Sequence, residues 1–139
     1  DIHTPAADYE VKATISRYES RINVSGQFQL ALSSTKKLNL IYFRFEPATS
    51  GDSVDEVCKR LIGYGIPQKT LEEALFRCGL EPGCSARKET FNVLQASLYH
   101  VNSNFPRISP ESFVNGVLPA GIIHVEYQVD LTGLPHQPF

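Results

Sequence analysis

The stretch Leu38-Asn39-Leu40-Ile41-Tyr42-Phe43-Arg44-Phe45-Glu46 decides the fold class. Its apolar residues fall on both faces around positions 40–42, the composition of a strand covered on both sides near the centre of a sheet. Two helical patterns follow it. Ser53-x-x-Glu56 is a capping box, and Val54, Val57, Cys58, Leu61 and Ile62 then trace a single helical stripe. Thr70-x-x-Glu73 opens a second helix whose stripe is Leu71, Ala74, Leu75 and Cys78, with Gly79 at the position just past its end. Both stripes suit helices that cover a sheet, and they make core packing the role of Cys58 and Cys78.

Toward the C-terminus, Glu81–Ser85 holds Pro82 and Gly83 and reads as a loop, and Glu89–Val101 as a long strand. Phe105-Pro106-Arg107-Ile108-Ser109-Pro110 is a connection in which each proline restricts its predecessor. Arg107 is expected to lock it by bonding backbone carbonyls. In Ile122–Leu131, Ile123, Val125, Tyr127 and Val129 alternate with His124, Glu126, Gln128 and Asp130, the pattern of a half-buried strand at or near a sheet edge. The proline-rich residues 135–139 are expected to fray, which leaves 1–134 as the domain.

Toward the N-terminus, Tyr9–Ser16 and Arg21–Val24 read as strands, and Gln27–Ser33 as a short helix. The order β-β-(α)-β-α-α-β-β predicts an α/β or α+β domain with a mixed sheet flanked by helices. At 139 residues the chain is long enough for one real core, and 42% hydrophobic with 20% charged is an ordinary globular balance. No apolar run approaches the roughly 18–20 residues that a membrane helix needs. Three cysteines (Cys58, Cys78, Cys84) without CxxC spacing argue for reduced thiols in a cytoplasm rather than for disulfides or zinc.

The net charge of −2 is no signature of nucleic-acid binding, but its distribution is uneven. Between positions 12 and 37, five basic residues (Lys12, Arg17, Arg21, Lys36, Lys37) face one acid, Glu19. A local basic surface of this kind is what a phosphate backbone requires.

Chemistry concentrates in Glu10-Val11-Lys12. Residues two apart on a strand share a face, so Glu10 and Lys12 are neighbours on the face opposite Val11, Ala13 and Ile15. Asp1 precedes Glu10 by nine residues with Pro5 between, a spacing that suits the end of a neighbouring strand plus a turn. Two hard carboxylates can hold Mg²⁺, and a lysine beside it can orient or deprotonate water and stabilise developing charge. On its own, E-x-K more often marks an exposed strand face with an ion pair. Asp8, two before Glu10, is the alternative carboxylate. His3 fits a solvated loop, His124 and His136 solvent, and His100 has no evident partner. Tyr9 and Tyr18 could stack on bases beside Arg17 and Arg21, although packing on the sheet is commoner. Gly63-Tyr64-Gly65 lacks the rest of a nucleotide fingerprint, and no nucleophile elbow is present.

Several blocks together resemble the bacterial PD-(D/E)XK motif family, whose genes often lie beside restriction or phage-defence genes. Its pattern sets an aspartate about nine residues before an E-V-K-(A/T)-T strand, then an I-S-S-x-x-Q-L-like segment, F-P-R-(I/L)-(T/S)-P and a final V-x-Y-x-(I/V)-D-L. Here these are Asp1, Glu10–Thr14, Val24-Ser25-Gly26-Gln27-Phe28-Gln29-Leu30, Phe105–Pro110 and Val125–Leu131, in the right order over nearly the whole chain. The resemblance implies a restriction-endonuclease-like fold, with Asp1 and Glu10 as ligands of Mg²⁺ or Mn²⁺, Lys12 as the catalytic lysine and Gln29 near the phosphate or the attacking water. It implies DNA as substrate, with a homodimer or other defence subunits as partners; the basic window then supplies Arg17, Arg21, Lys36 and Lys37 as the residues expected to contact DNA. Family members carry a further helix and strand before the aspartate, so this chain reads as the C-terminal part of a longer protein or one segment of a divided domain.

Overall fold

A computed structural model of the chain describes residues 1–26 and 28–139. Its elements run β1 (Ile2–His3), β2 (Ala7–Thr14), β3 (Arg21–Val24), β4 (Lys37–Ser53), α1 (Val54–Gly63), α2 (Gln68–Arg77), β5 (Thr90–Val101), β6 (Tyr127–Asp130) and β7 (Gln137–Pro138), with short 3-10 turns between. Five strands form a mixed sheet in the order β1-β2-β4-β5-β7, and β3 pairs with β6 in a separate two-stranded sheet. The class is mixed α/β, as the alternation of strand and helix patterns predicts.

The chain divides into two compact units. The first comprises Asp1–Phe45 and Leu94–Phe139, the second Glu46–Val93. In the first, β1 runs antiparallel and β4 parallel to β2. The β1–β2 turn is held by Thr4, whose backbone N–H and hydroxyl both donate to the Ala7 carbonyl at 2.9 and 2.7 Å. Leu40, Ile41 and Tyr42 are all buried, as expected of a central strand. Ile22 and Val24 of β3 and Val129 of β6, with Leu131 just beyond it, pack with Leu40, Tyr42, Tyr99 and Val101 as one core. The two-stranded sheet therefore covers the face of β2 that carries Glu10 and Lys12. The opposite face, with Val11 and Ile15, stays exposed, Ile15 at 64%.

The second unit holds the ends of β4 and β5 and both helices. The capping box forms: Ser53 Oγ accepts from the Glu56 N–H at 3.3 Å, and the Ser53 N–H donates to Glu56 Oε2 at 2.8 Å. Of the α1 stripe only Cys58 is buried. Helix α2 starts a turn before the expected Thr70 box, because Pro67, with φ fixed at −59°, serves as its N-cap and presets the first turn. Cys78 is exposed at its C-cap, which corrects its expected place in the core. Buried Arg87 joins α1 to α2 through Asp55 (2.7 Å) and a two-bond contact with Glu72 (2.7 and 3.0 Å).

Four other expectations need correction. Residues 28–30 form a turn, not a helix, while Gln27 lies outside the described residues. The last alternating stretch is a strand only over Tyr127–Asp130, because its partner β3 ends at Val24, paired with Tyr127. Residues 137–138 are not frayed: they pair with Leu98 and Ser97 at the sheet edge, where a proline costs no ladder bond. Arg107 Nε is buried with no hydrogen-bond partner among the described residues, whereas Tyr127 Oη accepts from the Ile108 N–H at 3.2 Å.

Candidate active site

Glu10 is only 5% exposed. An exposed strand ion pair is thereby excluded at this position. Its Oε1 accepts from Gln29 Nε2 at 2.7 Å and lies 3.0 Å from Lys12 Nζ, and Lys12 Nζ also donates to Gln29 Oε1 at 3.3 Å. Two charge-assisted hydrogen bonds and one ion pair close the three side chains into a ring. Strand β2 supplies two of them through its two-residue period. Gln29 comes from the turn between β3 and β4, where its N–H donates to the Gly26 carbonyl at 3.0 Å. The next residue, Leu30, is fully buried in the core and pins that turn against the sheet. A carboxylate taken out of water is costly unless its oxygens are paired, and here both partners converge on a single oxygen.

Asp1 is exposed beside this ring. The β1–β2 register pairs Ile2 with Tyr9 and His3 with Asp8. Continued by one residue it sets Asp1 opposite Glu10, and directly opposed residues of an antiparallel pair share a face. Among the described residues no three His, Cys, Asp or Glu side chains converge to hold a metal. Asp1 and Glu10 are the residues of this strand pair that could hold Mg²⁺, which uses one or two carboxylates and keeps waters and phosphate for its other positions.

Asp8, the alternative carboxylate, is engaged elsewhere. Its Oδ1 lies 2.9 Å from His3 Nδ1 and 3.4 Å from Lys36 Nζ. The hydrogen bond from His3, and then Lys36, hold its carboxyl below the usual range. His3 thus sits in a strand with a partner, not in a solvated loop, and Lys36 is partly neutralised. Arg21 lies 3.4 Å from Glu19 on the exposed loop that carries Arg17, and Lys37 is exposed at the start of β4. Tyr18 is 92% exposed, free of sheet packing. His100 pairs with buried Asn39, Nδ1 to Oδ1 at 2.7 Å, a contact 61 residues apart that no local pattern signals.

A family model described as "Putative PD-(D/E)XK family member, (DUF4420)" matches residues 1–132. The chain belongs to this PD-(D/E)XK family. Its mixed five-stranded sheet and two helices agree with a PD-(D/E)XK-like fold. The match spans every block singled out from the sequence, from Asp1 to Leu131. No curated protein and no solved structure matches the chain. No helix is long and apolar enough to cross a membrane, among the described residues.

Proposed function

We propose that this PD-(D/E)XK family member is a metal-dependent endonuclease that hydrolyses phosphodiester bonds of DNA, in a prokaryotic restriction or phage-defence system. One observation carries the reading: a buried glutamate is held by a glutamine's hydrogen bond and a lysine's ion pair in one closed ring, and the register of the neighbouring strand, continued by one residue, brings a second carboxylate opposite it. A binding module has no need of that combination. DNA and the defence setting rest on the company the resembling family keeps.

In this reading Asp1 and Glu10 hold Mg²⁺ or Mn²⁺. The bound ion would polarise the phosphoryl oxygen and lower the pKa of a coordinated water. Lys12 is placed to orient that water and to face the charge that develops on the phosphate. Gln29 keeps Lys12 and the Glu10 carboxylate in fixed relative positions, the precondition for electrostatic assistance without reorganisation. Arg17, Arg21, Lys36 and Lys37 supply backbone contacts to DNA. A homodimer, or association with other defence subunits, would allow both strands to be cut.

The reading is tested by incubating supercoiled plasmid, modified and unmodified, with the full-length protein in Mg²⁺, Mn²⁺ or EDTA. Nicking or linearisation in either metal and none in EDTA is the expected result. DNA binding without cleavage on every substrate would replace it with a catalytically inactive nuclease-fold subunit that binds DNA or protein.

A further inference from the structure

Two polar atoms next to the ring are buried and take no hydrogen bond among the described residues: Tyr42 Oη and Arg44 Nε. In the parallel β2–β4 pair, Glu10 stands beside Leu40, Lys12 beside Tyr42 and Thr14 beside Arg44. Paired residues of adjacent strands share a face, so Tyr42 and Arg44 continue the surface of Glu10 and Lys12 across β4.

Arg44 is the unusual member of this row. Its neighbours Leu40 and Tyr42 are fully buried, whereas Arg44 is half-buried. Its Nη1 donates to the Arg17 carbonyl at 3.4 Å, near the limit for a hydrogen bond. By contrast, Arg60 and Arg87 each make a bidentate contact to an acid. A guanidinium carries five N–H donors and fits two oxygens of a phosphate at once. Leaving such donors unmet beside a buried hydroxyl costs free energy that an oxyanion would recover.

We propose that Arg44 is a phosphate-binding residue that grips the nucleic-acid backbone one or more nucleotides from the scissile phosphate, with Tyr42 Oη beneath it. The inference rests on the nuclease reading. It adds a positioning contact on β4 itself, apart from Arg17 in the loop and Arg21 at the start of β3, and so fixes the direction in which the strand crosses the sheet.

The test is anisotropy of a labelled DNA duplex bound to the full-length protein in Ca²⁺, titrated from about 50 to 200 mM salt. It compares wild type with Arg44→Gln, which removes the charge and the fork but keeps a polar N–H donor near the position of Nε, and with Arg44→Lys, which keeps the charge. Lys69→Ala, an exposed lysine on α2, is the control. Arg44→Gln should bind about tenfold more weakly, with a salt slope smaller by about one, the mark of one lost phosphate contact. Arg44→Lys should restore the slope and only part of the affinity, because an ammonium lacks the fork. Thermal melts of both variants within about 3 °C of wild type would assign the loss to binding. Should Arg44→Gln not fold, Arg44→Lys decides alone, since wild-type affinity there would overturn a bidentate grip. Wild-type slope and affinity in Arg44→Gln, with the parent still binding and cutting, would overturn this inference alone. A parent that binds no duplex would overturn the nuclease reading along with it.

Discussion

Replacing Gln29 with leucine isolates the contribution of the ring. The side chain keeps its approximate volume, so the turn anchored by Leu30 has no new cavity to absorb. The substitution deletes the 2.7 Å donation to Glu10 and the 3.3 Å bond from Lys12. A hydrogen bond to a charged group contributes about 1.5–3 kcal/mol, and the longer bond adds little. Lys12 remains 3.0 Å from Glu10, so the loss stays short of stranding a buried charge. The net effect should be about 2 kcal/mol, or roughly 5–8 °C in Tm for a chain of this length. Urea denaturation and calorimetry would read it, with Gln128→Leu as the control. That glutamine bonds Asn23 at 2.9 Å on an exposed face, and its loss should stay within about 0.5 kcal/mol. Equal stabilities for Gln29→Leu and Gln128→Leu would refute the idea that the ring holds Glu10 in place.

Other variants probe the second unit and the acid limb. Ser53→Ala removes the acceptor at the start of α1 and should cost about 1 kcal/mol by denaturant titration. Gly51→Ala should fail to fold or lose most of its stability, seen as collapse of the unfolding midpoint, because a Cβ there would land on the Phe91 backbone. The Arg87 hydrogen bond holds the Glu72 carboxyl below its usual range, and Arg60 does the same for Asp52. Carboxyls depressed in this way stabilise the fold above the ordinary carboxylate range and lose that contribution as pH falls through their folded pKa. Arg87→Met should therefore flatten the fall in unfolding midpoint between about pH 5 and pH 3, as well as lower it at neutral pH.

Local chemistry made much of this fold legible in the sequence. The capping box at Ser53 and the doubly apolar Leu40–Tyr42 needed nothing beyond their own neighbours. Where a partner sets the outcome, the sequence pattern alone was insufficient. The alternation of Ile122–Leu131 is real, but pairing stops at Tyr127 because β3 runs out. The apolar face of β2 would be buried on composition, yet the β3–β6 layer covers the side with Glu10 and Lys12 instead. Which face is covered depends on the path of residues 15–36, and no periodicity encodes that path. Lys12 and Glu10 were legible as neighbours through the strand period. Gln29, 19 residues from Glu10 and on a turn read as a helix, was signalled by the family resemblance alone. Arg44 drew no reading from the sequence, because its place beside Thr14 and its unbonded Nε depend on the β2–β4 pairing. The contacts of Asp8 with His3 and Lys36 follow from the pairing of β2 with β1 and β4 and were not legible from its place two residues before Glu10.

The central claim, that the buried ring is catalytic machinery and not a structural ion pair, is tested most directly by Lys12→Ala in the full-length protein. The measurement is the single-turnover cleavage rate of plasmid in Mg²⁺, paired with duplex affinity in Ca²⁺ and a thermal melt. Cleavage should be at least about a hundredfold slower, the usual scale for one positioned catalytic group, with affinity changed by no more than a few fold. A folded Lys12→Ala variant that cuts at the wild-type rate would contradict that claim.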